Sequence, residues 1–186
     1  MQPPTDGSET WVGMVGLGYV GLPVAALLAA SGLRVVGLDR DAARIARIQA
    51  GECPIEGREP ELPELLADVV QKKALHATTD PASLATCDVI LVAVETPVDE
   101  TNVPRYVALQ GAVETVGKHM KTGALVVIES TIAPGTMRRL VIPTLERVSG
   151  KKFNEDFFVG HCPERVMPGR LLRNLREMSR VCGGST

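Results

Sequence analysis

Aromatic residues are scarce: Phe, Tyr and Trp together make up 3% of the 186 residues. Proteins that stack nucleic-acid bases interleave aromatic with basic side chains, and no such pattern occurs here. An excess of positive charge is also missing, with 20 Lys plus Arg against 22 Asp plus Glu and a net charge of −2. That balance argues against a general nucleic-acid or membrane-surface binder. Cys53, Cys87, Cys162 and Cys182 include no CxxC pair, so neither a zinc framework nor a disulfide scaffold is indicated. No metal site is expected. The opening MQPPTDGSET has neither a basic region nor an apolar core, unlike a secretory signal peptide. The most apolar run, Val20 to Leu33, is 14 residues long and holds Pro23, Ser31 and Gly32, which is too short to cross a bilayer. The expected compartment is the cytoplasm.

What is present is an ordinary globular composition, 45% hydrophobic and 23% charged, which excludes a disordered chain. The length suits one domain, burying roughly 70% of the surface its unfolded form exposes. Residues 1–9 are expected to be a flexible lead, and residues 10–186 the domain. WVGMV, RVVGLD, DVILVAV, ALVVIES and FFVGH read as apolar strands, with LHAT and RVC as short ones. Helices are predicted at about 20–31, 41–50, 64–73, 105–120 and 135–147, with Pro143 a kink in the last. In the helix at 41–50 the stripe Ala42, Ile45, Ala46 and Ile48 faces inward, with Arg44 and Arg47 facing away. The three prolines and several charges of 51–63 make a loop or lid. Apolar runs rather than alternation mean parallel strands covered on both faces. The expected architecture is a doubly wound α/β domain.

Gly16-Leu-Gly18-Tyr-Val-Gly21 follows the first strand and opens a helix, and Asp39 ends the next strand 23 residues after Gly16. A lone GxGxxG is weak evidence; this context is the dinucleotide-binding, Rossmann-type fingerprint. Gly16 permits the tight turn, Gly18 lets the backbone approach a pyrophosphate, and Gly21 lets the helix pack close to the strand. Free N–H groups at the helix start face the phosphates. Asp39 would accept from the adenosine ribose hydroxyls and repel a 2′-phosphate, favouring NAD over NADP. Arg40 pulls the other way, since an arginine there suits a 2′-phosphate.

GLGYVGLP, Val94-Glu95-Thr96-Pro97 and Glu129-Ser130-Thr131 together resemble the UDP-glucose/GDP-mannose dehydrogenase family. HCPERVMPG, His161 to Gly169, with RVCGG, Arg180 to Gly184, is most similar to the branch acting on UDP-N-acetyl-D-mannosamine; UDP-N-acetylglucosamine is the alternative sugar. The resemblance implies oxidation of the sugar C6 alcohol to a carboxylate with two NAD, through a cysteine-bound thioester. It implies that Tyr19, Val20, Asp39, Arg44, Thr96 and Thr131 contact NAD, with Ser130 beside Thr131 on the ligand-collecting edge. Thr131 would also place a catalytic water. Glu164, Arg165 and Val166 match the loop that touches the UDP-sugar, and Glu164 would assist thioester hydrolysis. Two departures are visible: Glu95 replaces a proline or small polar residue, and Pro168 stands where the UDP-glucose branch has a glutamate. The family's nucleophilic cysteine, catalytic lysine and dimerising central helix lie past this domain. The resemblance therefore implies the NAD-binding half of a longer, homodimeric enzyme, inactive alone.

Cys162 lies between His161 and Pro163, but neighbours on a strand point to opposite faces, so it is read as structural rather than nucleophilic. His76 and His119 are read as surface or capping residues. Arg165, Arg170, Arg173, Arg176 and Arg180 are offset nearby only by Glu177; they are a solvated helix face, or one or two of them meet the diphosphate or sugar carboxylate of the substrate, with Arg165 preferred. A dehydrogenase of another Rossmann lineage and a stand-alone NAD-sensing module are the competing functions.

Overall fold

The computed structural model describes residues 10–184; the lead expected at 1–9 lies outside the described residues. The strands are β1 (Trp11–Val15), β2 (Arg34–Leu38), β3 (Leu75–Thr78), β4 (Val89–Val92), β5 (Leu125–Ile128), β6 (Phe158–His161) and β7 (Gly183–Gly184). They form one sheet in the order β3-β2-β1-β4-β5-β6-β7. Neighbours from β3 to β6 are parallel, and β7 adds to β6 antiparallel. Sequential strands run outward in both directions from the β1–β4 junction, the point where a doubly wound sheet leaves a crevice for ligands.

The helices are α1 (Gly21–Ala30), α2 (Ala42–Gln49), α3 (Leu62–Gln71), α4 (Val107–His119), α5 (Ile142–Ser149) and α6 (Leu171–Glu177). One core, around Met14, Leu22, Ile48 and Leu66, lies under α1, α2, α3 and α6. The other, around Ile90, Val113, Leu145 and Phe157, lies under α4 and α5. Burial on both faces explains the apolar runs of β1 and β2, whereas β4 and β5 are buried on one face and half-buried on the other. α1 follows the same logic: seven of its ten residues are buried, so its sequence carries no polar stripe.

Local chemistry sets the boundaries. Asp41 caps α2 by accepting from Arg44 N at 3.0 Å, and Asp80 caps the 3-10 turn Pro81–Thr86 through Ala82 N; both are orphan N–H groups that a short acidic side chain satisfies. The break expected near Pro143 takes the form of a π-helical turn, Met137–Val141, running into α5. Proline cannot donate to the ladder, and the wider turn accommodates that loss.

Two expectations are corrected and one, the solvated helix face, gains its bounds. The last strand is Gly183–Gly184 rather than Arg180–Cys182, since pairing with Gly160 and His161 begins only at the glycines. The basic segment contains α6, whose Leu171 and Leu172 are buried while its arginines face outward. In α2 only Ile45 and Ile48 are buried, and Arg44 folds back toward the sheet instead of facing away. Among the described residues no helix is long and apolar enough to cross a membrane, and no cluster of metal-binding side chains occurs.

Candidate functional site

The glycine-rich turn lies at the C-terminal edge of β1, beside the β1–β4 junction. Gly16 has φ +91°, which a side chain rarely adopts, and a Cβ there would lie 2.4 Å from Ala93 O. A Cβ on Gly21 would sit 1.9 Å from Gly16 O, so helix and turn touch backbone to backbone. Gly18 differs: nothing lies within 4 Å of its Cβ position. The room kept at Gly18 is therefore not filled by any described residue. It opens at the start of α1, where N–H groups and the helix dipole favour phosphate. The turn fits a dinucleotide pyrophosphate on geometry, not on motif alone.

Asp39 is 8% exposed and builds the turn as well as facing it. Its Oδ2 accepts from Leu17 N at 2.8 Å and from Arg44 Nη1 at 3.0 Å, and its Oδ1 accepts from Asp41 N at 3.0 Å. A carboxylate has about four lone-pair sites, so Oδ1 keeps capacity for a ribose hydroxyl. Arg44 completes a half-buried ion pair with Asp39, beside the position the adenosine would occupy. Arg40 is far more exposed and only 4.0 Å from Glu95 across the crevice. An exposed pair at that distance contributes about 0–1 kcal/mol. Glu95 thus faces Arg40 across the crevice.

β4 and β5 end side by side. Ser130 Oγ accepts from Val94 N at 3.0 Å and donates to Val94 O at 2.7 Å, so its hydroxyl staples the two strand ends. Thr96 Oγ1 donates to Thr131 O at 2.7 Å, which brings those two residues together while Thr131 stays exposed. Ser130→Ala is expected to leave Val94 N without its partner and to lower unfolding stability by about 1–3 kcal/mol. Chemical denaturation measures this, and an unchanged midpoint would show that the staple contributes nothing.

Past β6, Glu164 points inward. Its Oε1 accepts from Arg165 N at 2.6 Å, and its Oε2 lies 3.2 Å from Arg180 Nη1. Arg180 Nη2 donates to Glu129 Oε1 and to Cys162 O, each at 2.8 Å. One guanidinium thus stands between two carboxylates. Burial pushes the Glu129 carboxyl above the usual range, although Arg180 draws it down and the nearby Glu164 charge adds to the rise. Among the described residues, Glu129 Oε2, Glu164 Oε2 and Arg180 Nε find no hydrogen-bond partner. Glu129 and Arg180 line a cleft of about 490 Å³ between α1 and the β4–β6 face.

Sequence reasoning preferred Arg165 among the C-terminal arginines. Arg165 is exposed, with its guanidinium donating to Ser179 O, and Arg180 is the one that reaches buried acids. The basic excess is balanced from afar: Arg176 pairs with Glu61 and Arg180 with Glu129. Val166 packs against the α1-side core. Cys162 is buried with its thiol pushed up to about 11 by burial and by the neighbouring Cys182 thiol, 2.7 Å away. That fits a structural cysteine and exposes a contact that a separation of 20 positions hid from the sequence. His76 is exposed and His119 Nδ1 meets Thr115 O, as surface and capping residues do.

Comparison with known proteins gives a consistent picture. The model of the UDP-glucose/GDP-mannose dehydrogenase family, NAD binding domain, matches residues 10–186. A UDP-N-acetyl-D-mannosamine dehydrogenase of Pyrococcus horikoshii is 40% identical over 173 residues, covering 93% of this chain and 40% of that protein. A UDP-N-acetyl-D-glucosamine 6-dehydrogenase of Pseudomonas aeruginosa is 38% identical over 175 residues, again covering 40% of that protein. The crystal structure of an NDP-N-acetyl-D-galactosaminuronic acid dehydrogenase from Methanosarcina mazei Go1 superposes with a TM-score of 0.91 at 39% identity, over 97% of this chain and 40% of that one. The chain spans about 40% of the length of these relatives. It belongs to the UDP-glucose/GDP-mannose dehydrogenase family, and residues 10–186 are its NAD-binding domain.

Proposed function

We propose that this domain is the cofactor half of a cytoplasmic nucleotide-sugar 6-dehydrogenase that oxidises UDP-N-acetyl-D-mannosamine to the corresponding uronate. One observation carries the reading: the pyrophosphate turn at Gly18 and the inward-turned Glu164 lie on the same C-terminal edge of one sheet, flanking the β4 and β5 ends. A sugar entering between them would meet cofactor on one side and a carboxylate on the other. NAD, when bound, supplies a two-electron hydride acceptor, and two are consumed per alcohol taken to acid.

The chain's own residues have three tasks. Gly16 and Gly21 shape the turn that receives the pyrophosphate, Gly18, Tyr19 and Val20 face it with the backbone at the start of α1, and Asp39 with Arg44 fixes the adenosine end. Thr96, Ser130 and Thr131 shape the wall under the nicotinamide, where Thr131 places water. Glu164, Arg165 and Val166 meet the UDP-sugar, and Glu164 accepts the proton of the water that releases the acid. Arg180 holds Glu164 turned inward.

The cysteine nucleophile, the lysine and the homodimer contacts belong to the remainder of a longer protein, which covers the open β4–β6 face. The 186-residue chain should not turn over by itself. UDP-N-acetylglucosamine is the second reading, supported by the Pseudomonas aeruginosa relative. In a complete enzyme carrying this domain, rates with the two sugars decide between them. There, Glu164→Gln is expected to spare the first hydride transfer and slow acid release by a factor of about 10²–10⁴, the usual contribution of a general base. Stopped-flow NADH formation separates the steps, and equal slowing of both would remove Glu164 from hydrolysis.

A further inference from the structure

Glu59 lies in the connection between α2 and α3, among the exposed residues Glu56, Gly57, Arg58 and Pro60, yet it is only 7% exposed. Nothing in the proline-rich composition of this segment marks it. Three donors from two distant parts of the chain converge on its carboxylate. Tyr19 Oη donates to Oε1, Gly169 N donates to Oε1 at 2.5 Å, and Leu171 N donates to Oε2 at 3.1 Å. A carboxylate is costly to bury unless such bonds satisfy it, and charge-assisted bonds are the stronger kind. Burial pushes the Glu59 carboxyl up, but the three donors outweigh it and hold it below the usual range. Burial and the Glu59 charge raise Tyr19. At neutral pH the pair is therefore a carboxylate and a neutral phenol.

The placement of the partners matters most. Tyr19 stands inside the glycine-rich turn, between Gly18 and Gly21. Gly169 closes the loop that begins at Glu164, and Leu171 is the first residue of α6. A second tie, Arg176 Nη1 to Glu61 Oε2 at 3.0 Å, fastens α6 to the same connection. The turn and the loop thus share one anchor without bonding to each other through it.

We propose that Glu59 is a positioning residue linking the cofactor turn to the 163–170 loop, so that filling the NAD site orders the loop that meets the sugar. This rests on the functional reading above. The link runs from the pyrophosphate-held backbone of Tyr19, through its hydroxyl and Glu59, to the amides of Gly169 and Leu171. Tyr19→Phe cuts it with one atom. Glu59→Gln leaves one good acceptor oxygen for donors that now use two.

The test is hydrogen exchange of the Gly169 and Leu171 amides, followed by NMR in the 186-residue chain with and without NAD. In the parent chain, saturating NAD should slow both amides by about fivefold or more. In Tyr19→Phe and in Glu59→Gln, each saturated at its own measured affinity, the slowing should fall below about twofold. A purely structural tie would instead speed exchange in the variants equally with and without NAD, leaving the NAD effect intact, and that result overturns the proposal. So does a parent chain that binds NAD with no slowing. A folded parent chain that binds no NAD overturns the functional reading itself, which is a different and separately visible failure.

Discussion

Gly18→Ala is expected to leave the protein folded and to weaken NAD binding by tenfold or more, while Gly21→Ala should damage both folding and binding. The two glycines belong to one motif, but the space around them differs. A methyl on Gly18 meets nothing within 4 Å, and its backbone has no positive φ. Alanine there costs the fold nothing and restricts the unfolded chain, so stability should be unchanged or higher by up to about 1 kcal/mol. The same methyl occupies the room through which the pyrophosphate reaches the N–H groups of the turn. A methyl on Gly21 lies 1.9 Å from Gly16 O. A backbone carbonyl cannot swing aside as a side chain can, so turn and helix must separate at about 1–3 kcal/mol or more. Thermal melts with NAD titrations on both variants check this. Full NAD affinity in Gly18→Ala would mean that the space at Gly18 is not where the phosphates lie.

Asp39→Ala should weaken NAD by about 1.5–3 kcal/mol, the range for hydrogen bonds to a charged group, or roughly ten- to 150-fold. It should also lower stability, because Leu17 N and Arg44 lose the oxygen they share. A general loosening would weaken NAD and NADP alike. Loss of the carboxylate that repels a 2′-phosphate should instead narrow the ratio between them, since Arg40 and Arg44 remain nearby. An NAD-to-NADP ratio equal to that of the parent would remove the ribose role from Asp39, whatever the change in stability.

Legibility in the sequence followed the range of the interactions. The central strands were readable because each is a run of apolar residues, β1 and β2 buried on both faces and β4 and β5 buried on one and half-buried on the other. The fingerprint was readable because Gly16, Gly18, Gly21 and Asp39 serve a single turn within two strands and one helix. Long-range partners were not readable. Arg180 reads as one more solvated arginine until Glu129, 51 positions away, is brought beside it. Glu59 reads as loop charge until the fold delivers Tyr19 from 40 positions upstream and Gly169 from 110 downstream. For α6 a solvated helix face was legible but its buried side was not: Leu171, Leu172 and the half-buried Leu175 make too short a stripe to stand out among arginines. Arg44 was misplaced because helix periodicity describes where Cβ points, and a long side chain can fold back to a buried carboxylate.

The most direct test of the central claim is calorimetric titration of the 186-residue chain with NAD, then with NADP and UDP-N-acetyl-D-mannosamine. The predicted result is clear NAD binding, weaker NADP binding and no tight binding of the sugar by the domain alone. A chain that is folded by circular dichroism and releases no heat with NAD would contradict the account at its base.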